Sequence, residues 1–143
     1  MSYSGPLLEL KRTTTNTYDV LPLDWISVKS YKPTPNQRLD TSDSVRDLQG
    51  HLHRVVLDHK PTKIEFELRP MTNTEVATFN TFMANHYISP KERDFTLRYY
   101  NQETDDYVTG HFYMPDPQYN INTIDYGNKV IKYLPTRVAF IEY

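Results

Sequence analysis

Cysteine is absent from the 143 residues. Its absence excludes disulfides, thiolate catalysis and cysteine-ligated metals, and leaves the redox compartment undetermined. The chain has only four glycines, which argues against a glycine-rich phosphate loop. No apolar run exceeds a few residues, so no transmembrane helix is expected. The formal net charge is only -2, so no general attraction to nucleic acid or to an anionic membrane is expected. The opening MSYSGPLLELKR lacks a basic region followed by an apolar core, so no signal peptide is expected. Walker loop, HExxH, EF-hand and GxSxG patterns are all missing.

What the chain does have is ring-bearing side chains and proline: twelve tyrosines, six phenylalanines and ten prolines. Tyrosine suits strands and interfaces because it buries a ring and keeps a polar tip. The clearest pattern runs from Lys63 to Pro117. Ile64, Phe66 and Leu68 alternate with Lys63, Glu65, Glu67 and Arg69, which predicts a half-buried strand ended by Pro70. Thr72 with Glu75 forms a capping-box signature. Val76, Phe79, Met83 and Tyr87 then recur at helical spacing, with Phe82 and His86 beside them, predicting one amphipathic helix over 72–87. Phe95, Leu97 and Tyr99 predict one hairpin arm, and Val108, Phe112 and Met114 the other. The longer turn NQETDD between them should project and be mobile.

The rest of the chain is read more coarsely. Residues 1–17 are expected to form an N-terminal arm or a loosely held strand, with a single β-sandwich domain over 18–143. A strand is expected around Trp25, Ile26, Val28 and Ser30. Residues 33–44 read as a polar, solvent-facing loop. Residues 45–57 read as a strand antiparallel to the next. Residues 115–128 read as a loop, and the ending VIKYLPTRVAFIEY as one terminal strand, either central or covered by another subunit. The fold class is therefore mainly β, a sandwich or rolled antiparallel sheet, with one flanking helix. Phe66, Leu68, Phe79, Met83, Phe95, Leu97, Phe112 and Phe140 should form its core.

Catalytic candidates are few. His51 and His53 lie two apart on the expected strand and share a face. With Asp58 or His59 they would hold a metal; a polar strand face is the simpler reading. Asp105 and Asp106 are adjacent, so their carboxylates point apart at an exposed tip, where pKa shifts are small. No catalytic residue, cofactor or metal is expected, and no enzyme activity.

Four pieces carry a resemblance: GHLHRVVLDHKPTKIEFELRPM, TEVATFNTFM, DFTLRYYNQETDDYVTGHFYMPDP and RVAFIEY. They resemble an uncharacterised family of small proteins encoded among the tail-assembly genes of phages and prophages of Firmicutes. The order of elements is also similar to the tail-tube fold shared by tube proteins, distal tail proteins and baseplate hub domains. The resemblance implies a virion structural role, in the phage tail or baseplate, for a protein made in the cytoplasm of the bacterial host. Its partners would be copies of itself in a closed ring, sixfold by expectation, and other tail proteins. No membrane is implied, and DNA only in transit if the ring lines the tube. The loop at 33–44 is shorter than that of many tube subunits, and no carbohydrate-binding insertion is visible.

Under that reading the polar segments 101–106, 33–44 and 115–128 and the N-terminal arm become ordered by contact with neighbouring subunits. Tyr100, Tyr107 and Tyr119 are the expected interface anchors. Asn101, Glu103, Asp105, Asp106 and Arg38 are the polar candidates beside them. The alternative is a stand-alone binding module, its tyrosines lining a sugar or peptide groove; the third is a metal-assisted enzyme built on His51 and His53.

Overall fold

Leu8 and Leu10 alternate with Glu9 and Lys11, and that alternation builds a strand at the start of the chain. The computed structural model, which describes residues 2–143, places β1 at Leu8–Lys11, with both leucines fully buried. Of the arm or loosely held strand expected over 1–17, residues 8–11 are a strand of the main sheet. A turn over 12–17 leads to β2 (Tyr18–Val20), which pairs antiparallel with β1.

The strand expected around Trp25 to Ser30 is corrected. Pro22 offers no N–H to a ladder, and two single 3-10 turns follow, Leu23–Trp25 and Val28–Ser30. Between them Ile26 bridges to the sheet at Leu68, and the Ser27 amide donates to the Glu67 carbonyl (2.8 Å). The chain then enters β3 (Lys32–Thr34).

Two short strands, β4 (Val45–Arg46) and β5 (Leu52–His53), pair only with each other. After them come β6 (Lys63–Leu68), α1 (Asn73–Ala84), β7 (Asp94–Asn101) and β8 (Asp106–Tyr113). The ribbon of β9 (Ile121–Asp125) and β10 (Val130–Tyr133) and the final β11 (Thr136–Glu142) complete the chain. The loop expected over 115–128 thus contains a strand. The single terminal strand is two, divided at Leu134 and Pro135.

The main sheet runs β2-β1-β7-β8-β11-β6-β3, every neighbouring pair antiparallel. Laid flat, seven strands would hold the outer two about 29 Å apart. Those two are consecutive in the chain. From Val20 on β2 to Ile26, which occupies the β3 side of β6, six residues reach at most about 21 Å. One of the 3-10 turns lies in that span. The sheet must therefore roll, and segment 18–34 closes it. β11 lies between β8 and β6, which explains its apolar character on both faces.

Inside the roll, the Phe140 ring meets Phe66 and Phe95 edge-on at 5.3 and 4.9 Å, and Tyr99 meets Phe112 at 5.4 Å. Every residue expected in the core is buried. Gly110 is needed where β8 meets β11. A Cβ there would stand 2.6 Å from Glu142 Oε2 and 2.9 Å from the Phe112 ring. Glu142 is itself held, its carboxylate accepting from the Thr62 amide.

The helix begins at its capping box, Thr72 and Glu75 each accepting from the other's backbone amide. It ends at Ala84, three residues before the expected 87. Pro90 has no N–H to continue the ladder and disfavours helix at Ser89. His86 instead folds back: Nδ1 lies 2.6 Å from the Phe82 carbonyl and Nε2 2.8 Å from Asp19 Oδ2 on β2. Val76, Phe79 and Met83 are buried, and Trp25 packs edge-on against Phe79 and Phe82. The helix thereby clamps the crossing segment that closes the roll.

Candidate functional site

The segment over 37–58 leaves the body as a hairpin arm. Asp40 bridges Val56, the Thr41 amide donates to the Val55 carbonyl and the Leu57 amide to the Leu39 carbonyl. Ser44 Oγ lies between the Val55 amide and carbonyl (2.7 and 3.1 Å), and β4 with β5 continues the ribbon to its tip. The tip is a turn whose residue types fit it. Asp47 opens it and accepts at Oδ1 from the Gln49 and His51 amides. Gly50 closes it at φ +85°, a conformation that favours glycine. The strand expected over 45–57 is thus corrected: it belongs to this ribbon and does not neighbour β6. The loop over 33–44 is one half of the same arm.

The arm carries Leu39, Val45, Leu48, Leu52, Val55 and Leu57, all exposed. Cross-strand partners share a face, and so do residues two apart on one strand. Leu39, Leu57 and Val55 therefore form one apolar stripe, and Leu48 at the tip is 107% exposed. Sequence reasoning placed Leu39 in a solvent-facing loop and the others on a strand beside β6, and did not single them out as exposed apolar groups.

The second ribbon repeats the pattern. All five residues of β9 are exposed, and Ile121, Ile124, Tyr126 and Leu134 are exposed apolar side chains. β10 is the anchored strand. Its Ile131 amide donates to Asn73 Oδ1 and its Tyr133 amide to the Met71 carbonyl.

Most of the expected interface residues meet one another inside the chain. Tyr100 OH donates to Asp105 Oδ1 (2.6 Å), and the Tyr100 ring stands edge-on to Tyr107 and Tyr3. Tyr107 OH donates to the Pro6 carbonyl (2.7 Å). Asn101 is 1% exposed: Oδ1 accepts from the Glu103 amide and Nδ2 faces Asn36 Oδ1 at 3.5 Å. Arg38 stands 3.6 Å from Glu103, and Asp106 Oδ1 accepts from the Tyr107 amide. The turn over 101–106 is thus docked on residues 36–38 and does not project freely. Tyr119 lies apart from this group. Its hydroxyl donates to Asn80 Oδ1, and with Tyr87, Pro90 and Pro117 it lines a groove of about 410 Å³ beside α1.

His51 and His53 both face Asp47 in the arm turn, at 4.0 and 3.0 Å, rather than Asp58 or His59. Their hydrogen bonding holds the Asp47 carboxyl below its ordinary range, with His53 the main cause. His59 bonds the Tyr143 carbonyl. Among the described residues no group of three or more histidine, aspartate or glutamate side chains could hold a metal ion. Also among them, no helix is long and apolar enough to cross a membrane.

Residues 1–143, the whole chain, match the model of one protein family, described as a family of unknown function (DUF6711). The chain belongs to that family. No curated protein matches it.

Proposed function

We propose that the protein is a structural subunit of a bacteriophage tail or baseplate that works by assembling into a closed ring with copies of itself. The observation that carries this reading is the uncovered surface. The chain exposes 9057 Å² at 16.9 kDa, whereas a compact monomer of that mass exposes about 7,700 Å². The excess is about 1,400 Å². A ring subunit has two interfaces and loses about 800 Å² at each, so the excess matches what such a subunit gives up. The two apolar ribbons supply surface of the right kind. The resemblance to tail-gene products supplies the setting, and the rolled sheet with one flanking helix agrees with a tail-tube-like fold.

The test replaces residues 40–56 by a short glycine-serine link. The body should keep its fold by circular dichroism, because the arm buries nothing in the core. The protein should then be lost from phage particles produced by the variant. Normal incorporation would refute the reading.

The groove beside α1 favours a second reading, a binding module for sugar or peptide. Tyr87 and Tyr119 offer ring faces there, and Asn80 offers polar contacts. Binding of an oligosaccharide or peptide library, lost on Tyr119→Ala, would support it over assembly.

A further inference from the structure

We infer that the arm of one copy docks on the β9–β10 ribbon of the next copy, head to tail, with residues 52–57 lying along the outer edge of β9. This deepens the ring reading and rests on it. Both partners are ribbons that the single chain leaves uncovered. Among the described residues, β9 is hydrogen-bonded only to β10 and its flank, so its outer edge has no backbone partner. Free edges of monomeric proteins are usually blunted by lysine, proline or a cover. The β9 sequence INTID has neither lysine nor proline and presents Ile121 and Ile124. Residues 52–57, LHRVVL, are rich in the side chains that suit a strand.

The two ribbons do not pair with each other within the chain. A second copy brings them together. The contact uses different surfaces on the two partners, so it is heterologous, and repetition closes into a ring or extends into a filament. Charge agrees. Asp43 and Asp58 on the arm have no ion pair among the described residues, and neither has Lys129 on the ribbon turn. The area agrees too: the surface excess of about 1,400 Å² matches two interfaces of standard size per subunit.

The test uses the full chain and two surface variants, Val55→Asp on the arm and Ile124→Asp on β9, followed by sedimentation velocity and native mass spectrometry. Both side chains are exposed, so both variants should keep the wild-type circular dichroism and melting temperature. The wild-type chain should form a closed oligomer. Each variant alone should associate at least about thirtyfold more weakly. Mixed together, the two should give a capped heterodimer, because one intact arm then meets one intact β9 edge. If either variant alone forms a stable dimer, the contact is not head to tail and the inference is wrong. If both variants assemble as the wild type does, the docking surfaces are wrong while the ring reading stands. A wild-type chain that stays monomeric at every concentration overturns the docking; particle content, measured separately, decides the tail reading.

Discussion

Phe79 joins the helix to the segment that closes the roll, and Phe79→Ala measures how much that joint contributes. Its ring is fully buried and meets Trp25 edge-on at 5.8 Å. Truncating a buried phenylalanine costs about 3–5 kcal/mol, combining lost burial with the cavity left behind. The edge-on pair accounts for about 0.5–1.5 kcal/mol of that. A domain of this length unfolds with an entropy that converts 1 kcal/mol into about 3 °C, so melting should fall by about 9–15 °C. Phe82 is the internal control. It meets Trp25 at 5.5 Å but is only half-buried, so Phe82→Ala should cost less than half as much. Urea denaturation of both variants and the wild type, with circular dichroism as the readout, gives the comparison. A Phe79→Ala loss below about 1.5 kcal/mol, or a larger loss from Phe82→Ala, would refute the assignment of the helix face and of the clamp.

Two other changes probe the interior and its rim. Among the described residues the buried Tyr31 OH has no hydrogen-bond partner, and burial drives its pKa upward; Tyr31→Phe should therefore be neutral or stabilise by about 1 kcal/mol, and a loss above that by urea titration would reveal a partner. The hydrogen bond from His86 holds the Asp19 carboxyl below its ordinary 3.8, the Thr72 amide does the same for Glu75, and Lys63 for Glu65. Depressed carboxylates contribute stability that is present above about pH 4 and lost as pH falls through their folded values, so the urea midpoint should drop from pH 5 to pH 2.5. Asp19→Asn should make that drop shallower; an unchanged drop would show that the His86 contact contributes nothing to it.

The legible part of the sequence was its interior. Alternation in β6, β7 and β8, the capping box of α1 and the two-sided apolar ending each reflect a local rule that the fold obeys. Elements were misread where local pattern and long-range placement part. Leu8 and Leu10 alternate clearly enough to mark β1, but the polar residues on either side outweighed them. Trp25 to Ser30 alternates like a strand, yet Pro22 and the crossing between sheet edges impose turns. Of the expected interface residues, Tyr100 and Tyr107 stand ring against ring. Their partners are residues 3–6 and Asp105 of the same chain, a pairing that sequence distance conceals.

The arm is the instructive failure. Val45, Leu52, Val55 and Leu57 lie in the run 45–57, which reads as a sheet strand antiparallel to β6. Here they face solvent, on a ribbon held by its own turn, by Ser44 and by the bridge from Asp40 to Val56. A sequence pattern specifies that a surface will be covered, and it does not say by which molecule. When every other level of the fold agrees with the sequence, the place where burial fails to follow pattern is where a function is to be sought. A polar arm of the same length would fold equally well here and keep a monomer soluble. That the arm and the β9 edge both depart from that safer composition is the physical reason to look for their cover in another copy of the chain.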